Sequence, residues 1–445
     1  MNIAIEKVVY PGKALGRGED GIATFVEGAL AGELVEVQIT KNKKSFKEAK
    51  LLEVIKPSPE RISAKCPSYG KCGGCSLQHT EYSSQVKIKD GYVNELLGKF
   101  FPRIPSAIKS PFEWSYRNKM EFSFFFGDKG ILDIGLHEKN EFNRYFPVPP
   151  CLICDKDFLE ITRIIKDFAR ESGLPVYDKR VHTGFFRHLV LRKGVRTNQA
   201  LVNLVVNGAG IPSERFAQLV EKLKDKVSSF HITINSSVSD AVKADEIRLL
   251  HGSPMIEEKL VVKGKDYSFL ISPFSFFQTN TFGTEKLYET VLELGNFKKT
   301  DSVLDLYCGT GTIGIIIAPY VEKVFGVEQV EDAVKNAEQN RDRNGLTNIS
   351  FASGSVEKWI KGIDVPVFNA LVVDPPRGGL SGKIVDFIVK TNPEKVIYVS
   401  CNPSTLARDL DAIIQKGGYA VKNIVPVDMF PHTFHIECVV ILDKI

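Results

Sequence analysis

No stretch of the 445-residue sequence approaches the ~18 consecutive apolar residues of a membrane span, and its start, MNIAIEKVVY, shows no basic segment followed by an apolar one. A cytoplasmic protein with no membrane partner is expected. The sequence also lacks internal repeats, low-complexity tracts and any concentration of Gly or Pro. With 43% hydrophobic and 25% charged residues it falls near globular averages, which excludes fibrous structure and extended disorder. It has little net charge: 58 Lys plus Arg against 54 Asp plus Glu leave +4, too small an excess to imply a polyanionic partner by itself. Cysteine is sparse and uneven. The eight residues, expected to be reduced in a cytosolic chain, gather as Cys66, Cys72, Cys75, Cys151 and Cys154, with Cys308, Cys401 and Cys438 far downstream.

The length, about three times the ~150 residues of one domain, calls for several units rather than a single core. Residues 1–58 alternate short β-branched runs (Ile22 to Val26, Leu34 to Ile39, Ala49 to Ile55) with turns at Gly12, Gly16, Gly18 and Gly32, the pattern of a small β-barrel. Its run Lys41, Lys43, Lys44, Lys47 and Lys50 is either a track for a phosphate backbone or a solvated hairpin. The X-Pro bonds of Lys56-Pro57-Ser58-Pro59 oppose helix and mark a linker. Residues 59–270 mix strand-like runs, such as Met120 to Phe126 and Leu189 to Val206 (broken at Lys193 to Asn198), with the helical stretches Phe158 to Glu171 and Ser213 to Lys226, an α+β unit. From residue 271 to 445 strands and helices alternate, which predicts a parallel, doubly wound α/β sheet closed by strands at Val421 to Val427 and Glu437 to Leu442.

The third region carries the chemistry. Strand Ser302 to Tyr307 runs into Cys308-Gly309-Thr310-Gly311-Thr312-Ile313-Gly314, where glycines let a ligand approach the backbone. Glu328, 23 residues beyond Asp305 at the end of the next strand, is placed to accept from both hydroxyls of a ribose, whether of NAD or of S-adenosylmethionine. Asp374-Pro375-Pro376-Arg377 follows the strand ALVV at the ligand-binding edge. Dehydrogenases have no obvious use for such a loop, whereas base-modifying methyltransferases set one beside the target ring, and this favours S-adenosylmethionine. Cys401 ends the strand KVIYVS ahead of Asn402, a good N-cap, and Pro403 at the first helical position. The helix dipole there favours thiolate, the form that attacks carbon. Glu437 enters the last strand directly before the apolar run VVIL, and desolvation is expected to raise its pKa toward that of a working base. His432 and His435 have no third partner at metal spacing and read as structural or RNA-facing. Cys66-x5-Cys72-x2-Cys75, with Cys151 or Cys154 as a fourth thiolate, suits zinc or a [4Fe–4S] cluster, and spacing alone does not choose between them.

The motifs PGKALGR, CPSYGKCGGC, YRNKMEFSF, SPFSFFQTN, DLYCGTGTIG, VVDPPRGGL, VSCNPSTLARDL and FPHTFHIE, spread over nearly the whole chain, together resemble the RNA uracil-5 methyltransferase family. The resemblance is closest to its iron–sulfur branch acting on 23S ribosomal RNA. It implies a Rossmann-like S-adenosylmethionine methyltransferase domain behind an OB-like TRAM barrel and an α+β central domain. It further implies a [4Fe–4S] cluster on Cys66, Cys72, Cys75 and Cys151, with Cys154 supernumerary; Gln278, Tyr307, Thr312, Glu328 and Asp374 lining the cofactor and uracil site; Cys401 as nucleophile; and Glu437 as base. The implied partner is RNA, 23S ribosomal RNA first and tRNA second, met by a monomer. Phe276 is similar to the family's aromatic that stacks on RNA. The chain departs from close relatives at Thr312, where they often carry Asn.

The family's chemistry fits these residues, because uracil C5 is too weak a nucleophile until a thiolate has added to C6. Three other readings fit less well. A cytosine-5 methyltransferase acting on RNA usually carries Cys in the acid-diproline loop, where Arg377 stands, and a non-catalytic RNA-binding protein has no need of Cys401 beside Asn402-Pro403. A radical enzyme would need a CxxxCxxC spacing, which is absent.

Overall fold

In β1 (Asn2–Val9), Ile3, Ile5 and Val8 point inward between exposed neighbours, the two-residue period of a strand with one wet face. β2 (Lys13–Arg17), β3 (Ala23–Glu27), β4 (Leu34–Asn42) and β5 (Lys47–Lys56) repeat that period and close a barrel in the order β1-β2-β3-β5-β4. The lysine run does not form one continuous track. Lys47 is buried and bonded to Asp20, and Lys41 lies 3.8 Å from Glu48, whereas Lys44 and Lys50 are exposed. The structure, a computed structural model, describes residues 1–127, 130–141, 143–208, 213–238, 244–362 and 367–445.

After α1 (Tyr82–Leu97), a mixed sheet takes in β6 (Lys119–Phe126), β7 (Leu132–His137), β8 (Tyr145–Pro147), β9 (Phe186–Gly194), β10 (Gln199–Val206), β11 (Ser229–Ile234) and β12 (Glu246–Gly252), in the order β12-β11-β10-β9-β6-β7-β8. α2 (Asp157–Ser172) and α3 (Ser213–Leu223) lay Phe158, Ile161, Ile165, Phe216 and Leu219 against this sheet, whose central strand β9 is buried along its whole length. A hairpin of β13 (Ile256–Val262) and β14 (Lys265–Ile271) then packs on α4 (Thr281–Gly295).

The last region is the expected doubly wound unit. Its strands are β15 (Ser302–Leu306), β16 (Lys323–Glu328), β17 (Ile349–Ser353), β18 (Ala370–Val373), β19 (Lys395–Ser400), β20 (Tyr419–Val427) and β21 (Glu437–Lys444). They lie in the order β17-β16-β15-β18-β19-β21-β20. Between them run α5 (Thr312–Ile317), α6 (Glu331–Arg343), the short α7 (Val356–Trp359), α8 (Gly382–Thr391) and α9 (Pro403–Lys416). β17, β16, β15, β18 and β19 are parallel, and β21 enters antiparallel to both its neighbours. An open sheet binds its ligand outside the carboxyl ends of its parallel strands, where the strand order reverses, here between β15 and β18. The antiparallel insertion of β21 brings the start of that strand to the same edge. Among the described residues no helix is long and apolar enough to cross a membrane.

Candidate active site

The chain leaves β15 through Tyr307 and Gly309, both at positive φ, and turns at Gly311 into α5. Gly311 has φ +76°, and a Cβ there would stand 2.7 Å from the Phe351 ring, so only glycine fits. Glu328, at the end of β16, takes the Gly309 N–H on one carboxylate oxygen (3.1 Å) and the Val330 N–H on the other (2.8 Å). It thus ties the glycine loop to the start of α6. Asp305 accepts the Gly314 N–H on Oδ2 (3.1 Å), while Oδ1 is buried with no partner. Burial, with the Asp374 and Glu328 carboxylates nearby, pushes the Asp305 carboxyl up to about 8. Thr312 is buried and within 3.2 Å of the Thr310 hydroxyl, which in turn donates to the Phe276 carbonyl. That bond joins the glycine loop to the segment 272–280. Phe276 itself is 66% exposed, and the Gln278 carbonyl accepts from Asn118. The Tyr307 hydroxyl donates to Glu357 (3.4 Å).

The acid-diproline loop and the start of α9 form one unit. Asn402 caps α9 by accepting from the Ser404 and Thr405 N–H groups, and its Nδ2 donates to the Arg377 carbonyl at 3.0 Å. The Arg377 guanidinium reaches His435 Nε2 at 3.3 Å. Ser400 of β19 pairs with Cys438 of β21, so the next residues along, Cys401 and Glu437, stand opposite each other at the end of the ladder. Burial pushes the Asp374 carboxyl up to about 7, and burial together with Asp374 drives Glu437 well above the usual carboxylate range.

The thiol state differs from the sequence expectation. Burial, and then the carboxylates of Glu437 and Asp374, push Cys401 up to about 11, against the opposing pull of Arg377 and of a backbone hydrogen bond. The helix dipole is a partial charge, and two full carboxylates with desolvation outweigh it.

The segment between β20 and β21 is clasped from outside the sheet. From α1, Lys89 forms an ion pair with Asp428 at 2.7 Å in which both side chains are fully buried, Gln85 holds the His432 ring and N–H, and the Tyr92 hydroxyl donates to the Phe434 carbonyl. Ser76 and Leu77, beside Cys75, both donate their N–H to the His432 carbonyl (2.8 and 2.9 Å). Trp114 stacks on the His432 ring with centroids 3.7 Å apart. His432 and His435 are both held neutral, pushed down to about 4 by burial and by neighbouring cations.

A protein-family model described as tRNA (uracil-5-)-methyltransferase matches residues 81–445, and one for the TRAM domain matches residues 1–52. The chain belongs to the tRNA (uracil-5-)-methyltransferase family. It is an S-adenosylmethionine-dependent RNA (uracil-5-)-methyltransferase with an N-terminal TRAM domain. A relative from Caldanaerobacter subterraneus subsp. tengcongensis, named an uncharacterized RNA methyltransferase, is 40% identical over 100% of this chain and 98% of its own length. One of the same description from Clostridium tetani is 37% identical over 98% of this chain and 96% of its own. The crystal structure of Pyrococcus abyssi tRNA (uracil-54, C5)-methyltransferase in complex with S-adenosyl-L-homocysteine superimposes with a TM-score of 0.79 at 29% identity, covering 99% of this chain and 100% of that one.

In this methyltransferase the cysteines of the central region are all free thiols. Burial pushes Cys75 up to about 12, with the Cys151, Cys72 and Cys66 thiols adding to it, so these four lie within one another's electrostatic reach. Cys154, 1% exposed in the apolar cluster with Phe158 and Met120, lies beside Cys151 and donates its S–H to the Cys151 carbonyl at 3.4 Å. The sequence expectation of a four-thiolate metal centre finds no support in this placement. Among the described residues no three His, Cys, Asp or Glu side chains stand close enough to hold a metal ion as they are placed.

Sequence reasoning missed three residues here. Asp305 served there only as a counting reference, although an acid inside an apolar strand ahead of a glycine loop is itself a signal. Tyr288 of α4 is buried beside the Asp374, Asp305 and Glu437 carboxyls, and nothing in its helical setting marks it out. Tyr10 belongs to the barrel and has no sequence neighbour at the site.

Proposed function

We propose that this enzyme methylates C5 of one uridine in RNA, 23S ribosomal RNA in the first reading, through a covalent bond between Cys401 and C6. The observation that carries the mechanism is the placement of Cys401 opposite Glu437 across the β19–β21 ladder, with Asp374 beside both. The Asp305 Oδ1, unpartnered among the described residues, the open space over Gly309 and the Glu328 carboxylate fit S-adenosylmethionine in chemistry: an acceptor for an ammonium, room for a backbone-hugging ligand and an acceptor for ribose hydroxyls. Gln278, Tyr307, Thr312 and Asp374 would complete the walls. When bound, this cofactor supplies an electrophilic methyl group.

Cys401 sulfur, once deprotonated, adds to C6 and makes C5 nucleophilic. After C5 has gained the methyl group, Glu437 takes the C5 proton, and elimination breaks the C6–S bond and returns the thiolate. Arg377 is a cation beside the pair, and it opposes the carboxylates that raise the thiol. The uridine must leave its stack to reach this edge, and exposed Phe276 offers a face for a neighbouring base. In this reading residues 1–58 grip RNA, 59–270 shape the RNA path and hold a [4Fe–4S] cluster on Cys66, Cys72, Cys75 and Cys151, and 271–445 methylate. The donor set suits the cluster in the identity of its ligands, and the partly buried Cys151 suits the fourth position better than the core-buried Cys154. No step of the methylation passes through it.

A second reading, tRNA as substrate, is favoured by the likeness to the Pyrococcus abyssi tRNA enzyme over the full chain. Mass mapping of 5-methyluridine in rRNA and tRNA from a strain lacking this protein decides between them. Loss of one modified position in 23S rRNA is expected; loss confined to tRNA selects the second reading, and no loss in either overturns both.

A further inference from the structure

The turn between β1 and β2 reaches out of the barrel and into the methylation site. Gly12, at φ +80°, lies so close to the catalytic segment that a Cβ would stand 2.7 Å from the Phe434 Cβ. Tyr10 packs edge-on against Phe434 (centroids 5.9 Å apart) and Tyr92 (5.6 Å). Phe434, held by the Tyr92 hydroxyl, packs in turn on His435 at 4.1 Å, and Glu437 follows two residues later. The barrel is fixed at this point by Lys7 with Glu95 of α1 (2.8 Å) and by Ile88 against its apolar core. Burial, and then the charges of Cys401, Cys438 and Glu437, push the Tyr10 phenol up to about 12, with Arg377 opposing them, and none of these four neighbours is from the barrel.

We propose that Tyr10 is a positioning residue of the methylation site contributed by the N-terminal barrel: the turn Tyr10–Gly12 braces Phe434 and so sets where Glu437 stands opposite Cys401. The barrel then acts in turnover and not only in RNA capture. The inference rests on the reading that Cys401 and Glu437 carry the chemistry.

The full-length protein with Tyr10→Ala, Tyr10→Phe or Gly12→Ala, assayed on a substrate RNA, tests it. Tyr10→Ala should lower kcat about tenfold with KM for RNA within twofold of wild type, and, because C5 deprotonation is the slowed step, should accumulate a methylated enzyme–RNA adduct on ordinary uridine. Tyr10→Phe keeps the ring and should restore kcat within about twofold, with no adduct. Gly12→Ala keeps Tyr10 but displaces Phe434, and should reproduce the Tyr10→Ala behaviour; it decides the matter where Tyr10→Ala does not fold. All three should bind S-adenosylhomocysteine within twofold of wild type. A raised KM with unchanged kcat in Tyr10→Ala, equal losses in Tyr10→Phe and Tyr10→Ala, or normal turnover by Gly12→Ala would each overturn the proposal. Failure of the underlying reading shows differently: wild-type enzyme would then not be trapped by RNA carrying 5-fluorouridine.

Discussion

Cys401 and Glu437 lie 36 positions apart in sequence and opposite each other in space, because Ser400 and Cys438 are register partners of antiparallel strands. Side chains directly opposite in such a ladder share one face, with Cβ atoms ~5 Å apart in regular geometry. A thiol at the end of one strand and a carboxyl at the start of its neighbour therefore need no loop to bring them together. A one-residue slip of β21 would turn the carboxyl to the other face.

The order of covalent steps follows from that pairing. Cys401→Ala should abolish methylation and capture by 5-fluorouridine RNA together. Glu437→Gln should still add and methylate but release slowly, accumulating on ordinary uridine an adduct that survives denaturing electrophoresis. Near wild-type turnover by Glu437→Gln would remove it from the role of base.

Because the Cys401 thiol is pushed up to about 11, on the order of one molecule in ten thousand carries thiolate at pH 7 in the free enzyme. Thiolate grows as pH rises toward that value, so alkylation of Cys401 by iodoacetamide, followed by peptide mass spectrometry, should be slow at neutral pH and climb steadily at higher pH. Asp374, pushed up to about 7, is ionised well above that pH and raises the thiol; Asp374→Asn should therefore speed alkylation at alkaline pH. Arg377→Met removes an opposing cation and should slow it.

With Glu328 proposed to hold the ribose hydroxyls through charge-assisted bonds worth roughly 1.5 to 3 kcal/mol, Glu328→Ala should weaken S-adenosylmethionine binding about ten- to a hundredfold by calorimetry. RNA affinity, measured by filter binding, should hardly move. Unchanged cofactor affinity would leave Glu328 as no more than the tie between Gly309 and Val330.

Anaerobically purified protein should be brown, with broad absorption near ~400 nm from thiolate-bound iron. Cys75→Ser should lose the iron, whereas Cys154→Ser should keep it. Colourless protein with stoichiometric zinc would replace the cluster by a structural zinc site, and loss of metal from Cys154→Ser but not Cys151→Ser would exchange the fourth ligand.

The Lys89–Asp428 pair carries a separate expectation. Lys89→Met leaves the Asp428 carboxylate buried without its counter-charge, at a cost of about 3 to 5 kcal/mol, read from urea unfolding. Adding Asp428→Asn should recover part of that loss. Equal stability of Lys89→Met and wild type would mean that the carboxylate finds another partner.

What the sequence shows of this fold is what is encoded locally. KVIYVS followed by Cys401-Asn402-Pro403 reads as a strand and a capped helix because every signal lies within ten residues, and β19 and α9 stand there with Asn402 as the cap. α1 is not legible in that way. It buries Ser84, Gln85 and Lys89 as well as Val86 and Val93, so its inward face is partly polar, and the groups that justify this lie in the segment 428–434. The Cys401 thiol was misjudged for the same reason. The helix dipole is visible in sequence, but the carboxylates that outweigh it come from the neighbouring strand and from the acid-diproline loop. Lys47 likewise looks like one more exposed cation until the barrel closes over it and Asp20 meets it.

The clasp between α1 and the segment before β21 also fixes an order of events during synthesis. Its bonds join residues 339 to 347 positions apart, so Lys89, Gln85 and Tyr92 lack these partners while most of the chain is being made. The glycine loop, the acid-diproline loop and Cys401 are all translated first. A nascent chain at that stage holds Cys401 without Glu437, and closure over such long separations is slow. The pairing of Cys401 with Glu437 therefore forms late, once the residues of β21 have been made and can join β19.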